Sequence, residues 1–212
     1  ELEKLVFDDA RFGNPTKAED ADVVIFTRQD FATFPDYWLS DLDHEAPVRI
    51  TSANPQQTEY NWGRRILFDY NASDGTPKQG TLAIPDDYQE GERRPMLINY
   101  YEQNSQNLHS YPTPRYQGSP NFAGYVSDGY LVMQPDIHFR IGPSHEHMLE
   151  SIELALDAVT EMGYKVKRSD DVRFDVKRLS LEKKEYVLLN KPKNFITTTS
   201  DEKGRRTVME LI

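Results

Sequence analysis

The chain has 212 residues, of which 37% are hydrophobic, and this suits one medium domain or two small ones with a real core. It contains no cysteine, which excludes disulfides, thiol nucleophiles and thiolate metal sites, and we predict no cofactor. No stretch approaches the roughly 18 consecutive apolar residues of a membrane span. Residues 1–4 do not follow the plan of a signal peptide, so we expect no membrane association and a cytoplasmic location by default.

The net charge of −10 conceals a division within the chain. Residues 1–164 contain 12 basic and 27 acidic residues, whereas residues 165–212 contain 13 and 8. Such a change of sign typically separates a solvated globular surface from a segment that meets an anionic partner such as nucleic acid. We therefore place a seam in the chain near Gly163, Tyr164 and Lys165.

Residues 1–60 have the pattern of short strands separated by turns. The apolar run at residues 23–27 suits a buried strand, and the Tyr-Trp-Leu run at 37–39 precedes a polar turn at 40–43. We predict that this stretch is rich in β-structure.

A β-hairpin and two further strands are predicted next. Residues 65–70 alternate in a way that places Ile66, Phe68 and Tyr70 on one side, and a turn at 71–75 leads to a second strand at 80–84. The apolar runs at 96–101 and 130–134 then suit strands of a sheet that is covered on both faces.

The clearest helix is predicted from about residue 146 to residue 162. Apolar side chains recur there at three- and four-residue steps, at Met148, Ile152, Ala155, Leu156 and Val159. Ser144 suits the N-cap position, and Gly163 suits the C-terminal stop. A strand, a crossover and a helix in this order predict an α/β sheet.

Two groups of motifs resemble the prolyl oligopeptidase family of serine peptidases. Those that resemble the end of the family's β-propeller lie at residues 34–42, 50–55 and 61–63. Those that resemble the start of its α/β-hydrolase domain lie at residues 73–76, 80–85, 94–102 and 129–136. The blocks occur in the family's order and spacing, and together they cover most of the chain.

This resemblance implies an α/β fold, namely a partial α/β-hydrolase sheet preceded by β-propeller-like strands and followed by a small α+β fragment. The implied domains are the end of the propeller at residues 1–60, the N-terminal part of the hydrolase domain at 61–164, and a separate segment at 165–212. It also implies hydrolysis of a peptide substrate by a Ser, Asp and His triad, with a Tyr helping to bind the oxyanion. Tyr101 matches that Tyr, and the alternative is an ordinary aromatic residue at a strand end.

The nucleophile is not found by sequence. Acyl transfer on this fold needs a strained G-x-S-x-G turn, and the chain contains none. We identify Ser127 as the nearest candidate, although Tyr125 occupies the position that the upstream glycine requires, and a surface turn is the simpler interpretation. The resemblance therefore implies a peptidase fragment that is inactive by itself.

The segment from Lys165 onward resembles a second family, the bacterial ribosomal RNA pseudouridine synthases. Residues 166–174 resemble the end of a small RNA-binding domain, and residues 186–193, 197–201 and 204–208 resemble the first motif of the catalytic domain. The carboxylate that this chemistry needs belongs, by the same resemblance, to a later motif.

Basic side chains in this segment are candidates for binding ribosomal RNA. They are Lys191, Lys193, Arg205 and Arg206. Such cations neutralise phosphates without specifying sequence, so any RNA affinity is expected to depend strongly on salt. A solvated charged loop is the alternative interpretation.

Two other groups of residues give weaker evidence for a functional site. His145 and His147 offer metal-capable side chains, but i and i+2 on a helix point to different faces, so we predict no metal site. Asp136, His138 and Arg140 alternate after a strand, as expected for a loop at the carboxyl edge of a sheet, where a role supporting an active site is plausible.

Three hypotheses follow for the whole chain. It is a catalytically incomplete serine peptidase, an RNA-binding pseudouridine synthase fragment, or a composite of two gene fragments without native activity. We favour the composite, with the peptidase part dominating the fold. A sheet cut after its early strands would leave apolar edges, so we also expect self-association.

Overall fold

The computed structural model describes residues 5–113 and 120–167, together with the backbone of Arg173–Phe174 and Lys177–Arg178. The chain divides into two compact units, Glu1–Arg168 and Ser169–Ile212. The first unit contains the two four-stranded sheets described below. In the described residues, no helix is long and apolar enough to cross a membrane.

The first sheet is an antiparallel meander of four consecutive strands. They are β1 (Arg11–Lys17), β2 (Val23–Gln29), β3 (Asp36–Asp41) and β4 (Val48–Arg49). The predicted apolar strand is β2, and it buries Val24 and Phe26. The Phe26 ring lies 5.9 Å from Phe12 and 5.2 Å from His44, so aromatic contacts hold the sheet's inner face together. The prediction of a β-rich N-terminal stretch is confirmed.

A buried carboxylate fixes the start of β3. Asp36 is 1% exposed and accepts hydrogen bonds from the Thr51 hydroxyl at 2.6 Å and the Ala53 amide at 2.9 Å, and it forms an ion pair with Arg49. Burial opposes ionisation of this group, but these donors outweigh it, so the pKa of Asp36 lies below its ordinary value. The ionised carboxylate therefore stabilises the folded meander.

Replacing Asp36 should remove part of the chain's acid sensitivity. A folded pKa below the unfolded one gives stability that is fully present above about pH 4 and is lost as pH falls through the folded pKa. We expect Asp36→Asn to be less stable than the wild type at pH 7, and the difference to shrink steadily as the pH falls from 5 to 2.5. Urea unfolding followed by tryptophan fluorescence measures it. The exposed Asp22→Asn is the control, and a difference for Asp36→Asn that is independent of pH would contradict the assignment.

The second sheet begins with the predicted hairpin. Strands β5 (Arg64–Asn71) and β6 (Pro77–Ile84) pair along their whole length, from Arg64 opposite Ile84 to Asn71 opposite Pro77. The Ala72 amide donates to the Thr76 carbonyl at 2.9 Å and closes the turn. The prediction is confirmed, with both strands longer than expected.

Further strands complete this sheet. After β7 (Arg93–Arg94) come β8 (Met96–Ile98), helix α1 (Phe122–Ser127) and β9 (Leu131–Pro135). The order across the sheet is β5-β6-β9-β8, with β9 antiparallel to β6 and parallel to β8. The sheet is therefore mixed, and β8 ends earlier than the predicted 96–101. Strand β8 is the last in this order, and the expected self-association through such an edge stays a prediction.

Both faces of the sheet are covered, as predicted for β9. Helix α2 (Ser144–Glu161) packs on one face. The core on that side consists of Phe68, Tyr70, Leu82, Ile84, Leu131, Met133, Ala155 and Val159. On the other face, Ala83 and Val132 contact Val126 of α1 and Phe31 from the loop after β2. Because side chains alternate along a strand, neighbours such as Ala83 and Ile84 enter different layers.

Helix α2 differs in detail from the prediction. Pro143 rather than Ser144 occupies the N-cap position, so that expectation is wrong, whereas Gly163 follows the helix with a φ of 95°, as predicted. The helix buries His147 and Ser151, while Met148 and Ile152 are only partly buried. These polar groups can be buried because each is hydrogen-bonded: the Arg140 amide donates to His147 Nδ1, and the His138 amide donates to Ser151 Oγ.

The end of the first unit includes residues beyond the proposed seam. Strand β10 (Lys165–Val166) pairs in parallel with β7, and Tyr164 contacts Tyr88 at 5.4 Å between ring centroids. In the second unit, β11 (Arg173–Phe174) and β12 (Lys177–Arg178) form an antiparallel pair. The domain boundaries after residues 60 and 164 stay predictions.

Candidate functional site

Tyr101 lies at the carboxyl edge of the two parallel strands. It forms a parallel bridge with Asp136, in register with the pairing of Ile98 and Met133. The residue is 74% exposed, and among the described residues its phenol has no hydrogen-bond partner. The backbone of Tyr101 is thus fixed at the sheet while its hydroxyl is free to donate to a ligand.

A buried carboxylate holds the segment that follows Tyr101. Asp136 is 7% exposed, and its Oδ1 accepts from the amides of Asn104 at 2.5 Å and Ser105 at 2.8 Å. Its Oδ2 accepts from the Ser105 hydroxyl at 2.5 Å. The amide of Ile137 also donates to the Glu102 carbonyl at 3.1 Å. These contacts fasten residues 102–105 to the end of β9 and so position Tyr101.

The backbone of Asp136 is fixed from β5 and β6. The Tyr70 hydroxyl donates a short hydrogen bond to the Asp136 carbonyl, and the Asp136 amide donates to the Gln79 carbonyl at 2.9 Å. Burial is the main reason that the pKa of Tyr70 rises to about 12. Tyr70 therefore stays neutral and acts as a structural donor.

His138 in the loop after β9 pairs with Asp74 in the turn between β5 and β6. His138 Nε2 lies 2.8 Å from Asp74 Oδ2, and the pKa of Asp74 is lowered first by hydrogen bonds from Thr76 and then by His138. No serine hydroxyl contacts the His138 ring among the described residues. The pair ties the loop to the turn between β5 and β6, and it is not part of a catalytic triad in this part of the chain.

Arg140 fixes the same loop at its far end. Its Nη2 lies 2.5 Å from Glu150 Oε2 on α2, and its Nη1 donates to the Ser73 hydroxyl at 3.2 Å. Asp136, His138 and Arg140 thus each hold the loop through different partners, and their side chains do not form one catalytic group. A cavity of about 390 Å³ lies at this edge, between Gln79, Glu102, Ser105, Asp136, Ile137 and Phe139.

Neither candidate serine has the geometry of a nucleophile elbow. Ser127 is the last residue of α1, so a helix precedes it and a strand follows, the reverse of the strand–turn–helix arrangement. Gly142-Pro143-Ser144 matches G-x-S-x-G equally well, because it has the upstream glycine that Ser127 lacks but Glu146 in place of the downstream one. Ser144 begins α2 as an exposed residue nine positions after β9, which excludes a tight turn.

The two histidines of α2 lie in different environments and on different faces of the helix. His147 is buried and accepts from the Arg140 amide, whereas His145 is exposed and lies 3.9 Å from Glu146. The described residues contain no group of three or more metal-capable side chains. The proposed RNA-binding residues, Lys191, Lys193, Arg205 and Arg206, lie outside the described residues and stay predictions.

Parts of several solved structures have a similar fold. AtxE2 isopeptidase with bound astexin3-dC4 is 14% identical with a TM-score of 0.53, and the match covers 74% of this chain and 26% of that chain. Acylaminoacyl peptidase from Pyrococcus horikoshii is 13% identical with a TM-score of 0.51, covering 76% and 26%. Oligopeptidase B from Trypanosoma brucei is 13% identical with a TM-score of 0.50, covering 76% and 24%.

These neighbours are prolyl oligopeptidase-family serine peptidases, and at this low identity the likeness shows the fold alone. The chain spans about a quarter of the length of each. No protein-family model matches the sequence, and no curated protein matches it either. No match supports the pseudouridine synthase resemblance of residues 165–212 or the composite origin. The predicted peptidase resemblance is confirmed at the level of fold.

Proposed function

We propose that this chain is part of a prolyl oligopeptidase-type serine peptidase acting on peptide substrates. In this assignment, residues 1–60 are the end of a β-propeller and residues 61–164 are the N-terminal part of an α/β-hydrolase domain. Two features of the fold support it. The meander β1–β4 has the strand number and connectivity of one propeller blade, and the mixed sheet that follows has helices on both faces.

The role of Tyr101 is to bind the oxyanion. The observation that carries this proposal is an exposed phenol without a partner, on backbone held in register at the carboxyl edge of two parallel strands. Ligands of open α/β sheets bind beyond that edge. A phenol there can donate to the negative oxygen of a tetrahedral intermediate, and its held backbone reduces the cost of aligning it.

Hydrolysis also needs a nucleophile, and neither Ser127 nor Ser144 supplies one. We therefore expect the 212-residue chain to be inactive by itself. Incubated with a fluorophosphonate probe and with proline-containing peptides, the purified chain should show neither labelling nor turnover, while a known serine peptidase in the same buffer shows both. Stoichiometric labelling of one serine, located by peptide mass mapping, would falsify this expectation.

The oxyanion role itself is tested in any form of the protein that carries a reactive serine. Tyr101→Phe removes only the donor and should lower kcat by about 100-fold with little change in KM, because the oxyanion exists only in the transition state and intermediate. Tyr100→Phe, at the neighbouring exposed tyrosine, is the matched control and should leave kcat unchanged. Equal losses for the two variants would assign Tyr101 no special role.

A further inference from the structure

We propose that a cavity beside Arg65 binds a carboxylate group. This cavity, called the Arg65 cavity below, has a volume of about 240 Å³. Its walls include Arg65, Asn107, Ser110, Tyr111, Phe122 and Gln134. Because Tyr101 does not line it, the proposal goes beyond the peptidase function and does not depend on it.

Arg65 is held rigidly at this position. It is the second residue of β5, opposite Ala83 of β6, and its guanidinium lies over the Phe31 ring, 4.4 Å from the ring centroid. Its Nη1 donates to the carbonyls of Asn107 at 2.8 Å and Ser110 at 3.2 Å. Nη1 is thus committed to backbone carbonyls and Nε is buried, whereas Nη2 has no hydrogen-bond partner among the described residues and is the nitrogen left to contact a ligand.

The charge of Arg65 is not compensated. No carboxylate in the described part of the chain forms an ion pair with it, and its buried Nε has no hydrogen-bond partner there. Burial lowers the pKa of Arg65 to about 10, with no opposite charge to restore it. A buried cation without a partner is costly, and a bound anion would remove that cost.

Two acidic residues near Arg65 do not neutralise its charge. Asp9 and Asp30 line a separate hollow that Arg65 also borders, but neither is within ion-pair distance of it. The Asp30 carboxylate instead accepts from the amides of Ala32 and Thr33 and from the Thr33 hydroxyl. Of these two hollows, the Arg65 cavity is the one with no acidic side chain among its described lining residues, so a bound anion meets no like charge there.

The lining of the cavity suits a small carboxylate with an apolar body. None of its described lining residues is Asp or Glu, and a second cation approaches its wall, because Arg11 Nη1 donates to the Ser110 hydroxyl at 2.7 Å. Tyr111 and Phe122 supply aromatic surface, and Tyr111 is fixed by stacking on Trp62 at 5.2 Å. The volume is below the range of about 300–1,000 Å³ typical of drug-sized ligands. A free organic acid and the C-terminal residue of a peptide share this chemistry.

The test measures binding to the full chain by calorimetry and by amide chemical shifts. The probes are benzoate, benzamide, N-acetyl-alanyl-phenylalanine and its C-terminal amide. We expect each acid to bind at least about tenfold more tightly than its amide, since a hydrogen bond to a charged group contributes this much. Arg65→Gln should abolish that preference, whereas Arg64→Gln, at the exposed neighbour on the same strand, should leave it unchanged.

A second variant tests the site independently, in case Arg65→Gln fails to fold. Thr113 is an exposed residue at the rim of the cavity, so Thr113→Tyr should block binding while the unfolding midpoint stays unchanged. Tighter binding of the peptide acid than of benzoate identifies a peptide C-terminus, and the reverse identifies a free organic acid; both support the carboxylate site. Equal affinity for acids and amides, absence of binding, or equal losses in Arg64→Gln and Arg65→Gln overturns it. None of these outcomes affects the assignment of Tyr101.

Discussion

Replacing Gly63 with alanine is expected to lower the free energy of unfolding by about 4 kcal/mol. Gly63 lies between Trp62 and the start of β5, with a φ of 89°, and a Cβ there would lie 2.3 Å from the Ile84 carbonyl oxygen and 2.7 Å from Val126 Cγ1. The backbone oxygen cannot move away without disturbing the β5–β6 pairing. The backbone strain of an alanine at this φ and the steric overlap of its Cβ therefore both destabilise the folded state.

Gly75 provides the matched control. It has nearly the same backbone conformation, with a φ of 82°, but no atom lies within 4 Å of where its Cβ would be. Gly75→Ala should therefore cost only about 1 kcal/mol, the penalty for a left-handed conformation alone. Urea unfolding followed by tryptophan fluorescence compares the two, since Trp62 is next to the first site. Equal destabilisation would mean that the close approach of Ile84 is not a constraint.

Local patterns were sufficient to predict much of the secondary structure. The β5–β6 hairpin was predictable because alternation and a turn rich in Asn, Asp and Gly act over a few residues. Helix α2 was predictable from its periodicity, and β9 from its continuous apolar run. Each of these signals lies within the element it describes, so a single sequence contains all of it.

Non-local features were not predictable in this way. The insertion of β9 between β6 and β8 depends on pairings between residues 35 to 55 positions apart in the chain. The burial of His147 and Ser151 depends on amides of the loop after β9. The apolar pattern alone therefore placed Met148 and Ile152, rather than these two polar residues, on the buried face of α2. Periodicity reports where apolar side chains recur, and it cannot register a polar side chain whose partner is distant.

The residues of the candidate site also differ in whether the local sequence could identify them. Tyr101 was identified only through the family resemblance, because nothing in its local sequence distinguishes it from Tyr100. Asp136 was noted as a residue at the sheet edge, a position directly after a buried strand, but its partners Asn104 and Ser105 lie some 30 residues away. Arg65 was treated as a member of an alternating strand, since its lack of a counter-charge is visible only once the fold surrounds it.

Asp136 is expected to be the strongest determinant of order around Tyr101. Asp136→Ala removes an acceptor of three hydrogen bonds and leaves the amides of Asn104 and Ser105 without partners. We expect a loss of about 3 kcal/mol in the free energy of unfolding, because unsatisfied buried donors are more costly than the bonds themselves. Hydrogen exchange at these two amides should also accelerate in the native state, while exchange along β5 and β6 changes only with global stability.

Two further variants separate the carboxylate's role from a general effect of substitution. Asp136→Asn keeps one oxygen to accept from the amides, and the Ser105 hydroxyl can accept from the new NH2 group, so about 1 kcal/mol should be lost. Asp157→Ala, at an exposed position on α2, should change stability by less than about 0.5 kcal/mol. If Asp136→Ala unfolds at the same urea concentration as Asp157→Ala, or if the amides of Asn104 and Ser105 exchange no faster, then the segment after Tyr101 is held by other contacts. The exposed phenol would then lack the fixed backbone on which its proposed role depends.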